Sequence, residues 1–148
     1  MSNPTAAAKL KICKPIAEVF DAVINSNKIN QYFVSSASAD MVEGTSLKWR
    51  WEEFNYEADV TVLAVEINKS ISFQWIGGGY KLSNVILTFE SNAEGTATLI
   101  KAEESGWDFD QKGVETAIQQ TEGWTHFLLC MKAYLIHGID LRSGGVWN

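Results

Sequence analysis

The 148-residue sequence has little of what several classes of protein require. Only 2 prolines and 11 glycines accompany 46% hydrophobic residues, which excludes collagen-like, low-complexity and disordered chains. Basic residues are outnumbered, with 12 Lys and Arg against 18 Asp and Glu and a net charge of -6. Nucleic acids and anionic membranes bind to clustered basic surfaces, so we expect neither as a partner.

Long apolar runs and cysteine motifs are also missing. No window approaches the roughly 18 apolar residues of a membrane span, and Met1 to Thr5 lack the basic start and apolar run of a signal peptide. We therefore expect a cytoplasmic protein. Cys13 and Cys130 are far apart and form no CxxC spacing, which predicts two reduced thiols and gives no basis for a metal or a cofactor.

In the N-terminal part, the apolar residues are spaced first as in a strand and then as in a helix. Residues 8–14 place Leu10 and Ile12 on one face, which predicts strand one. Pro15 fits the first position of a helix that runs to Ile24. The break at residues 25–27 provides a new N-cap for a second short helix, whose apolar side is formed by Ile29, Tyr32 and Phe33.

Between Ser35 and Glu104 the hydrophobic period changes to two, which predicts antiparallel strands joined by hairpins. Turn residues at 43–44, 68–69, 77–79 and 91–95 separate them. The predicted strands are 36–41, 45–52, 55–67, 70–76, 82–91 and 95–105. Their aromatic residues share one face, which we expect to point inward.

A helical period returns after Asp110 and continues to about His137, where Gly138 is a plausible cap. Its apolar stripe is predicted to contain Val114, Ala117, Ile118, Thr121, Trp124, Leu128, Met131 and Leu135. The order of elements predicts an α+β fold, a curved antiparallel sheet of about seven strands wrapped around this long helix. We expect a single domain over 1–148, with its core at 9–142 and loose ends at 1–7 and 143–148, apart from Val146 and Trp147.

Several segments resemble one superfamily when taken in order. These are PIAEVFDAV (15–23), NKINQYF (27–33), ESGW (104–107) and EGWTHFL (122–128). Together they resemble the START-like or pollen-allergen-like helix-grip superfamily (SRPBCC), close to the bacterial domains homologous to the activator of heat-shock protein 90 ATPase. The resemblance implies a cavity between sheet and long helix, which in relatives receives apolar small molecules, while the eukaryotic namesake binds a chaperone.

We expect inward-facing side chains to form the walls of that cavity. A core filled by the same aromatic residues is the alternative. Glu104 falls either inside the cavity as a polar anchor or at a strand end facing water. The candidate ligand-binding residues are Phe20, Phe33, Trp49, Trp51, Phe73, Trp75, Leu87, Phe89, Glu104, Trp124, Leu128 and Met131.

Other polar residues are predicted to have ordinary roles. Glu52, Glu53, Glu57 and Asp59 surround a hairpin and should form an exposed acidic rim. His126 and His137 do not have the i, i+4 spacing of a metal pair, and His126 should be exposed. The run 77–79 lacks the Lys-Ser or Lys-Thr of a phosphate loop, so it should be a flexible hairpin turn at the mouth of the cavity.

Three functions follow as hypotheses. The first is a binding module, without a catalytic residue, for a small apolar or amphipathic molecule. The second is a cyclase, dehydratase or hydrolase that uses the cavity as a reaction vessel, with Glu104 or Tyr56 as acid or base. The third is a regulator of a chaperone ATPase that makes contact through the acidic rim. A monomer and a homodimer both stay open.

Overall fold

The computed structural model describes residues 3–143 and confirms the α+β fold. A short 3-10 turn, Glu52–Phe54, joins the third strand to the fourth. The elements are β1 (Ala6–Ile12), α1 (Ile16–Ile24), α2 (Ser26–Ile29), β2 (Ser36–Ala37), β3 (Ser46–Trp51), β4 (Tyr56–Glu66), β5 (Ser70–Trp75), β6 (Ser83–Ser91), β7 (Thr98–Ser105) and α3 (Gln111–His137).

The seven strands form one antiparallel sheet in the order β1-β7-β6-β5-β4-β3-β2. Strands β2 to β7 therefore form a meander in which each strand pairs with the next. The exception is β1, which leaves the sheet through α1 and α2 and pairs with β7, so that Ala6 lies opposite Glu104. Because β1 pairs with β7, the strand that carries Glu104 lies inside the sheet and not at its edge.

The helix α3 has well-defined ends and packs across the sheet. The Asp110 carboxylate accepts a hydrogen bond from Gly113 N at 2.7 Å, and Gly138 ends the helix with a φ of 65°, as predicted. Trp124, Phe127 and Met131 are buried against the sheet. The core thus lies between one face of the sheet and one face of α3.

Part of the predicted apolar stripe of α3 is wrong. Ile118 is 66% exposed and Val114 is also exposed, whereas Gly113 and Thr116 are buried. The first two turns of α3 run close to the backbone of Asp108 and of residues 77–78, and only small side chains fit at that distance. Residue size, and not hydrophobicity, therefore decides which side of these turns faces inward.

Three strand boundaries differ from the predictions. Residues 6–7, expected to be loose, belong to β1 because they pair with the end of β7. The second strand is only two residues long, since the Asp40 carboxylate accepts from Ser26 N and Met41 N donates to Ile24 O, which draws the chain towards α1. The last strand begins at Thr98 because the Asn92 side chain binds the preceding backbone in a turn. Residues 144–148, with Val146 and Trp147, lie outside the described residues.

None of the helices within residues 3–143 is long and apolar enough to cross a bilayer.

Candidate functional site

An aromatic pocket opens at one end of the sheet, where the turn after β3 and the loop after β5 approach α3. Its volume is about 190 Å³. The walls come from β3 to β5 and their connections, from the segment after α2, and from the middle of α3. The residues that line it are Phe33, Trp51, Phe54, Tyr56, Trp75, Gly77, Gln120, Gly123 and Trp124. We call this space the aromatic pocket.

The rings in the wall pack against one another at fixed angles. Trp75 lies between two indoles, with ring centroids 6.2 Å from Trp51 and 5.7 Å from Trp124. Phe33 meets Trp51 edge to face at 5.4 Å, and Tyr56 stacks on Trp51 at 5.8 Å. Edge-to-face and offset contacts of this kind stabilise aromatic clusters beyond their buried area. The rings of the wall therefore hold one another in position.

Glu104 lies directly behind this wall and is completely buried. Its Oε2 accepts hydrogen bonds from Trp75 Nε1 at 2.9 Å and from Ser83 Oγ at 2.5 Å. Its Oε1 accepts from Trp124 Nε1 at 2.8 Å and from Gln120 Nε2 at 2.9 Å. The network joins β5, β6, β7 and α3 through a single carboxyl group.

Three of the four partners of Glu104 are N–H groups, which can only donate a hydrogen bond to it. The fourth, Ser83 Oγ, lies 2.5 Å from Glu104 Oε2 and 3.2 Å from Trp75 O, and its single proton can serve only one of these two oxygens. None of the ion pairs within residues 3–143 includes Glu104. The buried carboxyl group is thus held by neutral partners alone, and in return it fixes the orientation of Trp75 and Trp124.

Two glycines bring the loop after β5 against this network. A Cβ on Gly77 would lie 2.4 Å from Trp75 Nε1 and 2.8 Å from Gln120 Nε2, and one on Gly78 would lie 2.4 Å from Thr116 Cγ2. Only glycine permits such a close approach. The predicted hairpin turn is therefore part of the wall of the aromatic pocket and is packed on α3.

A second cavity of about 110 Å³ adjoins the aromatic pocket and shares Phe33, Trp51, Phe54 and Gly123 with it. Its other lining residues are Tyr32, His126, Phe127, Cys130 and Arg142. His126 is half-buried here, so its predicted exposed position is wrong; the cavity lies along the flank of α3 that the sequence pattern assigned to solvent.

An ion pair closes the outer side of this second cavity. Arg142 Nη2 lies 2.7 and 3.1 Å from the two carboxylate oxygens of Glu53. Phe54, the next residue, lines both cavities. The segment after α3 is thereby tied to the turn that covers the site.

The two thiols should differ sharply in reactivity. Cys13 is exposed, whereas Cys130 is buried at the second cavity. Burial raises the pKa of the Cys130 thiol, partly opposed by Arg142, so less thiolate is present at a given pH. With a disulfide reagent at pH 8 we expect one thiol of the native protein to react about 100-fold faster than the other.

A Cys13→Ser variant should keep only the slow reaction, and in urea both thiols of the parent protein should react alike. Two equally fast reactions in the native protein would contradict this assignment.

The structure brings together some of the predicted site residues and separates others. Phe33, Trp51, Trp75 and Trp124 line the aromatic pocket, and Glu104 lies behind it. The other candidates are buried and pack in the core or beside it: Phe20, Trp49, Phe73, Leu87, Phe89, Leu128 and Met131.

Five residues of the lining were not among the predicted ligand-binding residues: Phe54, Tyr56, Gly77, Gln120 and Gly123. Gly123 carried a usable signal, because a glycine inside a helix is unfavourable without a packing or functional reason. Gln120 lies one helical turn before Trp124 and could have been found from that spacing.

The acidic rim is exposed, as predicted. Its charges are partly balanced, since Lys48 Nζ lies 2.7 Å from Asp59 and 3.5 Å from Glu57. Within residues 3–143, no group of three His, Cys, Asp or Glu side chains is placed to hold a metal ion.

Two comparisons with known proteins support the fold, one with family models and one with solved structures. The family model described as "Activator of Hsp90 ATPase homolog 1-like protein" matches residues 14–136. A solved protein from Staphylococcus saprophyticus is 30% identical, with a TM-score of 0.79, and the match covers 93% of this chain and 96% of that one. No curated protein matches the chain significantly by sequence.

Two further structures share the fold at lower identity. The Aha1 dimer from Colwellia psychrerythraea is 18% identical with a TM-score of 0.77, over 90% of this chain and 97% of that one. DynU16, a protein of the dynemicin biosynthetic locus, is 22% identical with a TM-score of 0.80, over 93% of this chain and 49% of that one.

Proposed function

The chain belongs to the family of Activator of Hsp90 ATPase homolog 1-like proteins, and from this premise we propose that it binds a small apolar or amphipathic molecule in the aromatic pocket. The observation that carries the proposal is the pocket itself. Large rings surround an open space of about 190 Å³ that they do not fill. An apolar cavity of about 150 Å³ is enough to bind benzene, so this space suits an aromatic ring or a compact alkyl group, and the adjoining second cavity gives room for a further ring of the same ligand.

Binding accounts for the polar groups of the site better than catalysis does. Both oxygens of Glu104 are occupied by protein donors and lie behind the wall. The Tyr56 hydroxyl donates to Ile76 O at 3.0 Å, and burial, with a smaller effect of Asp59, raises its pKa. A general base must lie within hydrogen-bond reach of a substrate proton, but Glu104 lies behind the wall and the Tyr56 hydroxyl keeps its own proton, which it donates to the protein. Their role is to hold the wall in place.

Contact with a chaperone ATPase is the alternative that the family name suggests. It would require the acidic rim as a contact surface. Within that rim, Glu53 is paired with Arg142, and Asp59 and Glu57 are paired with Lys48. Because these carboxylates already have partners in the chain, the rim supports the alternative less well than the aromatic pocket supports ligand binding.

Replacement of Gly123 by a residue with a large side chain should test the proposal directly. Gly123 lines both cavities, and a Cβ built on it meets nothing within 4 Å. We expect Gly123→Leu to fill the opening and weaken binding of the neutral dye N-phenyl-1-naphthylamine about tenfold or more, measured by dye fluorescence.

Glu122→Leu is the matched control, because Glu122 is exposed on the same helix and lines neither cavity. It should bind the dye like the parent protein. Equal binding by the Gly123→Leu and Glu122→Leu proteins, or no saturable binding by the parent, would refute ligand binding in this pocket.

A further inference from the structure

We infer that the ligand of the aromatic pocket is an organic cation, an ammonium group attached to an aromatic or alkyl body, held by the ring faces in front of the Glu104 carboxylate. This inference rests on the proposed function and specifies its ligand. It is drawn from three properties of the wall: its hydrogen-bond donors, the buried carboxyl group behind it, and the side chains that line it.

Most hydrogen-bond donors on the side chains of the wall already have acceptors within the protein. Trp51 Nε1 donates to Phe33 O at 2.9 Å, and the Tyr56 hydroxyl donates to Ile76 O. The two other indoles that line the pocket, with one Gln120 N–H, donate to Glu104. What the side chains still offer a ligand is mainly acceptors: the Gln120 Oε1, the Tyr56 hydroxyl oxygen and the π faces of the rings. This surface complements a cation or a donor, and the second Gln120 N–H is the one side-chain donor of the lining that no hydrogen bond given above uses.

An ionised Glu104 makes those ring faces more attractive to a cation. The indoles of Trp75 and Trp124 each donate their N–H to this carboxylate at 2.9 and 2.8 Å. A hydrogen bond to a negative acceptor polarises the donor, which increases the electron density of the ring. Cations bind over the faces of tryptophan and tyrosine through the ring quadrupole, and the effect increases when water is excluded.

The charge distribution around the pocket favours the same class of ligand. None of the described residues that line the aromatic pocket is charged. Arg142, which lines the second cavity, is paired with Glu53. The chain as a whole carries a net charge of -6, and a field of that sign raises the local concentration of cations. A fatty acid or another carboxylate would enter the aromatic pocket without a cationic partner.

Three ligands of similar shape would test the inference on the unmodified protein. Phenyltrimethylammonium and tert-butylbenzene differ in charge and hardly in size, and benzenesulfonate supplies the negative counterpart. Each is measured by displacement of N-phenyl-1-naphthylamine. We expect the cation to bind about tenfold or more tightly than tert-butylbenzene, and benzenesulfonate to displace no dye at the concentrations at which the cation saturates.

The source of the preference is tested by Glu104→Gln, with Glu103→Gln as the matched control. Glu103 is the neighbouring residue on the other face of β7 and pairs with Lys101. We expect Glu104→Gln to reduce the preference for the cation to about threefold or less, while Glu103→Gln leaves it unchanged. If the Glu104→Gln protein does not fold, the ranking of the three ligands on the unmodified protein decides.

The outcomes separate the inference from the proposed function. Equal or tighter binding of tert-butylbenzene would overturn the cation inference and leave ligand binding intact. Tighter binding of benzenesulfonate would overturn it as well. Failure of the dye and all three compounds to bind would refute the proposed function itself.

Discussion

Replacing Glu104 by alanine is expected to lower the free energy of unfolding by about 3–5 kcal/mol. The substitution leaves two indole N–H groups and an amide N–H without their acceptor in the core. Each unsatisfied buried donor costs about 1–3 kcal/mol, although such costs do not add fully. Ser83 can still donate to Trp75 O, but the three N–H donors lose their acceptor, and so the net effect is strongly destabilising.

Urea unfolding followed by far-UV circular dichroism would measure this effect. Glu103→Ala is the control, because the neighbouring carboxylate lies on the outer face of β7 in a surface pair with Lys101, which contributes at most about 1 kcal/mol. A loss below about 1 kcal/mol for Glu104→Ala would show that the network does not hold the sheet and α3 together.

Alanine at two glycines of the same helix should have opposite effects. A Cβ on Gly113 would lie 1.9 Å from Asp108 O, a backbone atom that also accepts from Asp110 N. Neither the carbonyl nor the helix start can move without breaking the cap, so Gly113→Ala should cost about 3 kcal/mol. A Cβ on Gly123 meets nothing within 4 Å, and alanine there should stabilise the helix by about 0.5–1 kcal/mol.

Each variant is thus the control for the other, since the chemical change is identical and both positions lie in α3. Thermal and urea unfolding of the two proteins would give the difference directly. Unfolding free energies within about 0.5 kcal/mol of each other would contradict the close approach of Asp108 to α3.

The sheet and the long helix could be predicted because each has a strong hydrophobic period. The alternation of Trp49 and Trp51 and of Phe73 and Trp75 fixes which face is buried, and all four are buried. Boundaries were less predictable, since they depend on distant partners. Residues 6–7 have little strand propensity of their own, and they become part of β1 through pairing with β7.

The site could be predicted only in part, because it depends on distances that no single element encodes. The alternation of residues along the strands placed Trp51 and Trp75 on the inner face of the sheet. The helical period placed Trp124 on the inner face of α3. The same period misplaced Ile118, because both sides of the first turns of α3 carry apolar residues. The partners Ser83 and Gln120 meet Glu104 from different elements, and a one-dimensional pattern does not show such a meeting.

The pairing of the first strand with the last has a consequence for how the chain folds during synthesis. Strands β3 to β6 can pair with their neighbours as they leave the ribosome, since each hairpin is local. Strand β1 must wait until β7 has been made, because Ala6 pairs with Glu104. Contacts between such distant residues slow folding. The nascent chain therefore carries β1 without its partner strand until Thr98–Ser105 has left the ribosome.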